Sequence, residues 1–129
     1  MKIFIGLVGS GKTTLYRKLN ENKEMDAVEI ELPQSCLNDD KLKVAIFNLY
    51  YFNPNIQCII AHPYYLPKDF HLRIKSTDVI IYLNLPFKER LRRIKKRSKM
   101  LNIKTKIFSL EFIQKEEKDF IKFKKEVGR

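Results

Sequence analysis

The feature that most constrains this chain is the segment 6–13, of sequence GLVGSGKT, which matches the pattern G-x-x-x-x-G-K-[ST] in full. An apolar run at residues 2–5 precedes it, and a segment with helical spacing, residues 12–20, follows it. This order brings main-chain N–H groups and the positive end of a helix dipole to one point. The pattern therefore predicts a phosphate-binding loop between a strand and a helix.

The residue types in this phosphate loop (residues 6–13) suit its expected ligand. Glycines allow the backbone to curl so that successive amides point at phosphate oxygens. The side chain of Lys12 is expected to neutralise the β- and γ-phosphates during catalysis, and the hydroxyl of Thr13 to coordinate Mg²⁺. The sequence thus predicts ATP and Mg²⁺ as cofactors. The expected nucleotide-binding residues are Gly6, Gly9, Ser10, Gly11, Lys12, Thr13 and Thr14.

The rest of the chain alternates between strand-like and helical patterns. Strands are expected at residues 2–5, 26–32, 57–61 and 78–85, and helices at residues 12–20, 41–52 and 67–75, from 87 onward and from 109 onward. Alternating strands and helices form parallel sheets that are covered on both faces. We therefore expect an α/β, three-layer fold with a short, mainly parallel sheet of about four strands. Ligands bind such sheets beyond the carboxyl ends of the strands.

Charge is distributed unevenly along the 129 residues, whose formal net charge is +11. Residues 1–87 hold ten Lys and Arg against nine Asp and Glu, and residues 88–129 hold sixteen against six, so +1 and +10 make up the total. A basic C-terminal third predicts a polyanionic partner, either nucleotide phosphates or a nucleic acid. The length suits a single domain, 1–129, with a basic lid-like and C-terminal helical region from about residue 87.

The cysteines and the apolar stretches indicate the compartment. Cys36 and Cys58 form no CxxC pair, which favours a reduced, cytoplasmic protein. A metal site of Cys58, His62 and His71 fits no zinc spacing, and a core cysteine is favoured instead. The apolar stretches are too short to cross a bilayer, so no membrane partner is expected.

Two stretches together resemble the P-loop kinases, the group of nucleoside monophosphate kinases, shikimate kinase and polynucleotide 5′-hydroxyl kinases. One is the phosphate loop. The other is residues 79–97, VIIYLNLPFKERLRRIKKR, which looks like the fourth strand, proline-containing turn and arginine-rich helix that lead into the lid of these kinases. The resemblance covers about residues 1–100. It implies a P-loop NTPase that transfers the γ-phosphoryl group of ATP to a nucleotide, a nucleic acid 5′ end or another small substrate.

The resemblance also implies catalytic roles for three side chains. Arg93 and Arg97 match lid-proximal positions, where guanidinium groups neutralise charge on the transferred phosphoryl group. With Arg90 they form one helical stripe, for which a solvated basic face is the alternative interpretation. In polynucleotide-kinase-like members an aspartate after the second strand orients the attacking hydroxyl. Asp39 is preferred over Asp40 for this role, although either can simply cap the next helix.

The sequence departs from the family where many P-loop proteins place an aspartate near Mg²⁺, because residues 61–63 read Ala-His-Pro. The second acidic partner of Mg²⁺ is therefore unassigned. Glu31 is a candidate for holding Mg²⁺ through water, against an ordinary exposed strand glutamate. His62 either contacts substrate or satisfies a local hydrogen bond. A fifth strand and an adenine-binding loop are not evident.

A second functional class is a nucleic-acid-binding protein that binds ATP with little catalysis. Its basis is the basic C-terminal third with interleaved phenylalanines that would stack bases, namely Phe108, Phe112, Phe120 and Phe123. Most of them also fall on the helix face that is expected to pack on the sheet, a face that Glu116 interrupts. A guanine-nucleotide switch is disfavoured, because the sequence has no Asn-Lys-x-Asp or Asp-x-x-Gly motif.

Overall fold

The computed structural model describes residues 1–23, 25–101 and 109–129, with backbone only at residues 98–101. The strands of these residues are β1 (Lys2–Gly6), β2 (Ala27–Ile30), β3 (Cys58–Ala61) and β4 (Val79–Leu83). All three strand pairings are parallel, and the order across the sheet is β2-β3-β1-β4. The fold is therefore α/β with a four-stranded parallel sheet, as the sequence predicted.

Helices pack on both faces of this sheet. They are α1 (Lys12–Glu21), α2 (Asp40–Tyr51), α3 (Phe70–Arg73), α4 (Phe87–Leu101) and α5 (Leu110–Val127), with 3₁₀ turns at Gln34–Cys36 and Pro63–Tyr65. On one face Leu19 of α1 packs with Cys58 and Ile60. On the other, Phe47, Phe70 and Phe120 bring α2, α3 and α5 into one core cluster with Ile3 and Ile5. None of the helices in the described ranges is both long and apolar enough to span a bilayer.

Four elements are shorter than the sequence pattern predicted, and the strand expected at residues 57–61 differs only by its first residue. The strand expected at residues 26–32 ends at Ile30, and the strand expected at residues 78–85 ends at Leu83. Each ends where its neighbour ends, since Ile30 is opposite Ala61 and Leu83 is opposite Gly6. The helix expected at residues 67–75 is a single turn, Phe70–Arg73. Alternation of side chains continues beyond a strand, but main-chain pairing stops where the partner strand stops.

The amino ends of the strands are joined through the buried carboxylate of Asp78. This carboxylate accepts hydrogen bonds from the hydroxyl of Tyr51 and, at 2.7 Å, from the main-chain N–H of Lys75. The amino group of Met1 lies 3.4 Å from its other oxygen, and Arg129 donates to the Asp78 carbonyl at 2.9 Å. Burial, followed by the bond to Asp78, raises the pKa of Tyr51 to about 12. Asp78 thus ties α2 and the end of the chain to the start of β4.

Candidate active site

A cavity of about 510 Å³ opens at the carboxyl ends of the strands. Its walls come from the phosphate loop and α1, from the end of β2 and the turn after it, from the segment after β3, and from α4 and α5. The lining residues include Lys12, Thr13, Glu29, Glu31, Gln34, His62, Tyr64, Tyr65, Arg93, Arg97 and Phe112. This is the edge of a parallel sheet where ligands bind.

The phosphate loop has the backbone geometry of an anion site. Gly9 and Gly11 adopt φ of 79° and 97°, a region that favours glycine. A Cβ on Gly6 would lie 2.3 Å from Oγ of Ser10, so this position also requires glycine. Of the six amides from Gly9 to Thr14, that of Ser10 donates to the Leu7 carbonyl at 3.1 Å, and the other five, those of Gly9, Gly11, Lys12, Thr13 and Thr14, have no main-chain acceptor among the described residues. These open donors at a helix N-terminus fit a phosphate chain.

Lys12 lies at the base of the loop. Its Nζ donates a hydrogen bond to the Leu7 carbonyl at 2.8 Å. Burial lowers the pKa of Lys12 from 10.5 to about 8, although the negative charges of Glu116 and Glu29 oppose the shift. The side chain is therefore mostly charged near neutral pH and sits where it can exchange the carbonyl for a phosphate oxygen.

A hydroxyl and a carboxylate meet beside the loop. The hydroxyl of Thr13 donates to Glu29 Oε1 at 3.4 Å. Burial raises the pKa of Glu29, and the neighbouring charge of Glu31 acts in the same direction. The structure therefore places Glu29 next to the predicted metal ligand Thr13, while Glu31 lines the same cavity. Hard oxygen donors of this kind fit Mg²⁺.

The arginine stripe of α4 divides between two environments. Arg93 and Arg97 are exposed and line the cavity. Nη1 of Arg93 lies 4.0 Å from the position that a Cβ would take on Gly11, and its Nε contacts Glu89 at 3.3 Å. Arg90 is buried instead, with 1% of its surface exposed. The interpretation of a uniformly solvated basic face is therefore wrong for Arg90.

Arg90 pairs with Glu116 of α5, a fully buried carboxylate at the back of the site. Arg90 Nη2 donates to Glu116 Oε1 at 2.6 Å. The second carboxylate oxygen contacts His62 Nε2 and accepts the main-chain N–H of Val8 at 3.4 Å. His62 Nδ1 accepts the N–H of Tyr64 at 3.0 Å, so the ring carries its proton on Nε2 and donates it to Glu116. Burial lowers the pKa of His62, which keeps the ring neutral.

Both nitrogens of His62 are thus engaged within the protein, which supports its interpretation as a locally satisfied histidine. The sequence had indicated Glu116 only as an interruption of the apolar face of α5. A glutamate on an apolar helix face is compatible with a buried ion pair, because a buried charge needs a partner, but the sequence does not identify that partner. Sequence spacing alone could not show that Arg90 and Glu116, which are 26 positions apart, contact each other.

Asp39, the predicted aspartate of the site, lies elsewhere. Its carboxylate caps α2 by accepting the N–H of Leu42 at 3.1 Å. Asp40 accepts the N–H of Lys68 at 2.9 Å. Neither is among the described residues that line the cavity. The catalytic role of Asp39 stays a prediction, and the geometry accounts for this side chain as a helix cap.

Part of the cavity wall is aromatic. Tyr64, Tyr65 and Phe112 line it, together with the amide side chain of Gln34. The rings of Tyr64 and Phe112 meet edge to face with centroids 6.4 Å apart. The remaining predicted base-stacking residues differ, since Phe120 and Phe123 pack in the core and Phe108 lies outside the described residues.

Comparison with known proteins identifies the class of fold. No protein-family model matches the chain, and no curated protein matches it. Among solved structures, deoxyadenosine kinase from M. mycoides with products dCMP and a flexible dCDP bound is similar, with a TM-score of 0.53 and 21% identity over 98% of this chain and 84% of that chain. The same enzyme with bound dATP gives a TM-score of 0.53 and 21% identity, over 97% and 84%. The chain therefore has the P-loop kinase fold.

Proposed function

We propose that the protein is a P-loop kinase that transfers the γ-phosphoryl group of ATP to a nucleoside or nucleotide acceptor. The observation that carries this proposal is a set of open amides that line the same cavity as two arginines, namely those of Gly9, Gly11, Lys12, Thr13 and Thr14. Phosphoryl transfer requires mainly positioning and charge neutralisation, and this arrangement supplies both.

The donor side is built by the phosphate loop and α1. The open amides hold the triphosphate, and Lys12 moves from the Leu7 carbonyl to the β- and γ-phosphates. Thr13 and Glu29 would hold Mg²⁺, which when bound neutralises charge on the phosphate oxygens. Arg93 and Arg97 add positive charge from α4. Together these groups would neutralise the negative charge that the triphosphate carries while its γ-phosphoryl group is transferred.

The acceptor side is the aromatic wall. The rings of Tyr64, Tyr65 and Phe112 suit a planar base, and Gln34 offers both a donor and an acceptor to its edge. Glu31, an exposed residue directly after β2, lines the same cavity as this wall and the phosphate loop. We assign Glu31 the task of orienting the acceptor hydroxyl, with Asp39 as the alternative. The similar structures contain bound deoxynucleotides, which supports an acceptor of this class.

Incubation with labelled ATP and Mg²⁺ tests the proposal directly. The acceptor panel contains nucleosides, nucleoside monophosphates, 5′-hydroxyl oligonucleotides and sugar or shikimate-like alcohols. Label is expected to pass to a nucleoside or nucleotide, and the Lys12→Ala variant is expected to lose this activity. Transfer to a non-nucleotide alcohol alone would overturn the acceptor assignment. Absence of transfer and of ATP binding would overturn the kinase assignment.

The same panel addresses the nucleic-acid alternative. Its remaining support is a row of exposed basic side chains on α4, namely Lys88, Arg92, Lys95 and Lys96. Salt-dependent binding of oligonucleotides without phosphoryl transfer would favour it over the kinase.

A further inference from the structure

Glu116 connects three parts of the site although it lies outside the phosphate loop. It belongs to α5, 108 positions after Val8, and its side chain is fully buried. Its carboxylate reaches Arg90 on α4, His62 after β3 and Val8 in the phosphate loop. A single carboxylate therefore contacts the helix that carries the arginines and the loop that is to hold the phosphates.

Both main-chain polar groups of Val8 are hydrogen-bonded to the Arg90–Glu116 pair. Its N–H donates to Glu116 Oε2 at 3.4 Å, and its carbonyl accepts from Arg90 Nε at 3.0 Å. The next residue, Gly9, has a φ of 79° and offers one of the open amides. The peptide between Val8 and Gly9 includes both the Val8 carbonyl and the Gly9 amide. Holding that carbonyl consequently fixes the direction of the amide.

The buried ion pair of Arg90 and Glu116 is not expected to add much to the stability of the fold. The cost of removing two charges from water offsets most of their attraction, and apolar replacements of similar size are often neutral. The pair is better explained by the positions it fixes, because the Glu116 carboxylate binds an arginine, a histidine and a loop amide at once. Glu117 offers an internal contrast. It also pairs with Arg90, but its side chain is 33% exposed. The bonds to Val8 and His62 are made by Glu116.

We infer that Glu116 is a positioning residue, which with Arg90 fixes the Val8–Gly9 peptide and holds α4 against the phosphate loop. The inference rests on the proposed function, because it assumes that the loop binds ATP. Without the carboxylate, the Gly9 amide and the arginines of α4 are no longer held in the positions from which they contact the same phosphate chain. The loss falls first on ATP and on the transferred group, because Glu116 contacts Val8 and Arg90 directly. It reaches the aromatic wall only through His62, whose ring lies 4.6 Å from that of Tyr64.

Steady-state kinetics with a Glu116→Gln variant and a Glu117→Gln control tests this inference. Glu116→Gln is expected to raise the Kd and KM for ATP and to lower kcat, each by about tenfold, because small displacements of reacting groups have large effects. The KM for the acceptor is expected to stay within about twofold. Glu117→Gln is expected to leave the Kd for ATP within about twofold. An ATP affinity of Glu116→Gln equal to that of Glu117→Gln would overturn the inference.

A double variant covers the case in which Glu116→Gln does not fold, since Arg90 would then be buried without its partner. Arg90→Met with Glu116→Met removes both charges at similar volume and is expected to fold. It is expected to show the same rise in the Kd for ATP, and a wild-type affinity would overturn the inference. Failure of the proposed function is distinguishable, because the wild-type protein itself would then bind no ATP.

Discussion

Two buried carboxylates stand at opposite ends of the same sheet, and their partners differ. Asp78, at the amino ends of the strands, contacts Tyr51, Lys75 and the amino group of Met1, none of which is among the described residues of the cavity. Glu116, at the carboxyl ends, contacts Val8 and His62, which line the cavity. The same chemical group therefore joins elements at one end and positions a binding loop at the other. Variants at the two ends should separate stability from activity.

The largest effect is expected from Lys12→Ala at the site end. Loss of this charge should lower the rate of phosphoryl transfer by about 10²- to 10³-fold, the magnitude seen when one group that stabilises transition-state charge is removed. The melting temperature should stay close to that of the wild type, because Lys12 makes a single hydrogen bond to Leu7 in the free protein. Lys18→Ala, an exposed change on the same helix, is the control in both assays. A large fall in melting temperature for Lys12→Ala would contradict the expectation that variants at this end of the sheet affect activity and not stability.

The next effect is expected from Asp78→Asn at the amino ends, and it should appear in stability. Burial by itself opposes ionisation, but hydrogen bonds from Tyr51 and Lys75 lower the pKa of Asp78 below its usual value. The charged form thus stabilises the fold at neutral pH, and the stabilisation is lost as the pH falls through the folded pKa. Asp78→Asn should cost about 2 kcal/mol in urea unfolding, the contribution of hydrogen bonds to a charged group.

Asp69→Asn is the matched control for this loss. Asp69 pairs with Arg73 at 2.6 Å on the surface, where ion pairs contribute about 0–1 kcal/mol. The ATP affinity of both variants should equal that of the wild type. A raised Kd for ATP in Asp78→Asn would show that the two ends are coupled.

A pH profile sharpens the same contrast. The pKa of Lys12 is about 8 in the folded protein, so the kcat/KM for ATP should fall by about tenfold per pH unit above pH 8 as the charge is lost. The contribution of Lys12 to stability should have the opposite sign. Between pH 8 and 10.5 the unfolded chain keeps the proton that the folded protein has released, so stability rises with pH. Lys12→Arg, which keeps its charge, should remove the alkaline fall in its own residual activity.

The smallest effects are expected on α4. Arg93 and its neighbour Arg92 both pair with Glu89, but of the two only Arg93 is among the described residues that line the cavity. Arg93→Ala should lower kcat by about tenfold as one of two arginines near the transferred group. Arg92→Ala should change kcat by less than about twofold and leave the urea-unfolding midpoint close to that of the wild type, because solvent screens an exposed ion pair. Equal kcat values in the two variants would remove Arg93 from the site.

The fold was predictable because its signals are local. The phosphate loop, the apolar strand runs and the cap Asp39 are each set by a few neighbouring residues, and the structure has them where the sequence placed them. Strand ends were less predictable, because Ile30 and Leu83 stop where their partner strands stop. That depends on pairing between distant segments and not on the strand's own residues.

The candidate site was predictable in part for the same reason. Lys12 and Thr13 follow from one contiguous motif, and Arg93 and Arg97 were expected from the resemblance of residues 79–97 to the P-loop kinases. The carboxylates followed only in part. Glu31 was a candidate from its place near the end of the second strand and lines the cavity, whereas only the packing of α1 places Glu29 beside Thr13. Glu116 lies far from its partners in sequence, and no local pattern distinguishes a glutamate that is paired inside the protein from one that only interrupts an apolar face.

The most direct test of the account is a calorimetric titration of the wild-type protein with ATP in the presence of Mg²⁺. The account predicts saturable binding of one ATP per chain, which Lys12→Ala weakens strongly and Asp78→Asn leaves unchanged. A wild-type protein that binds neither ATP nor GTP under these conditions would contradict it.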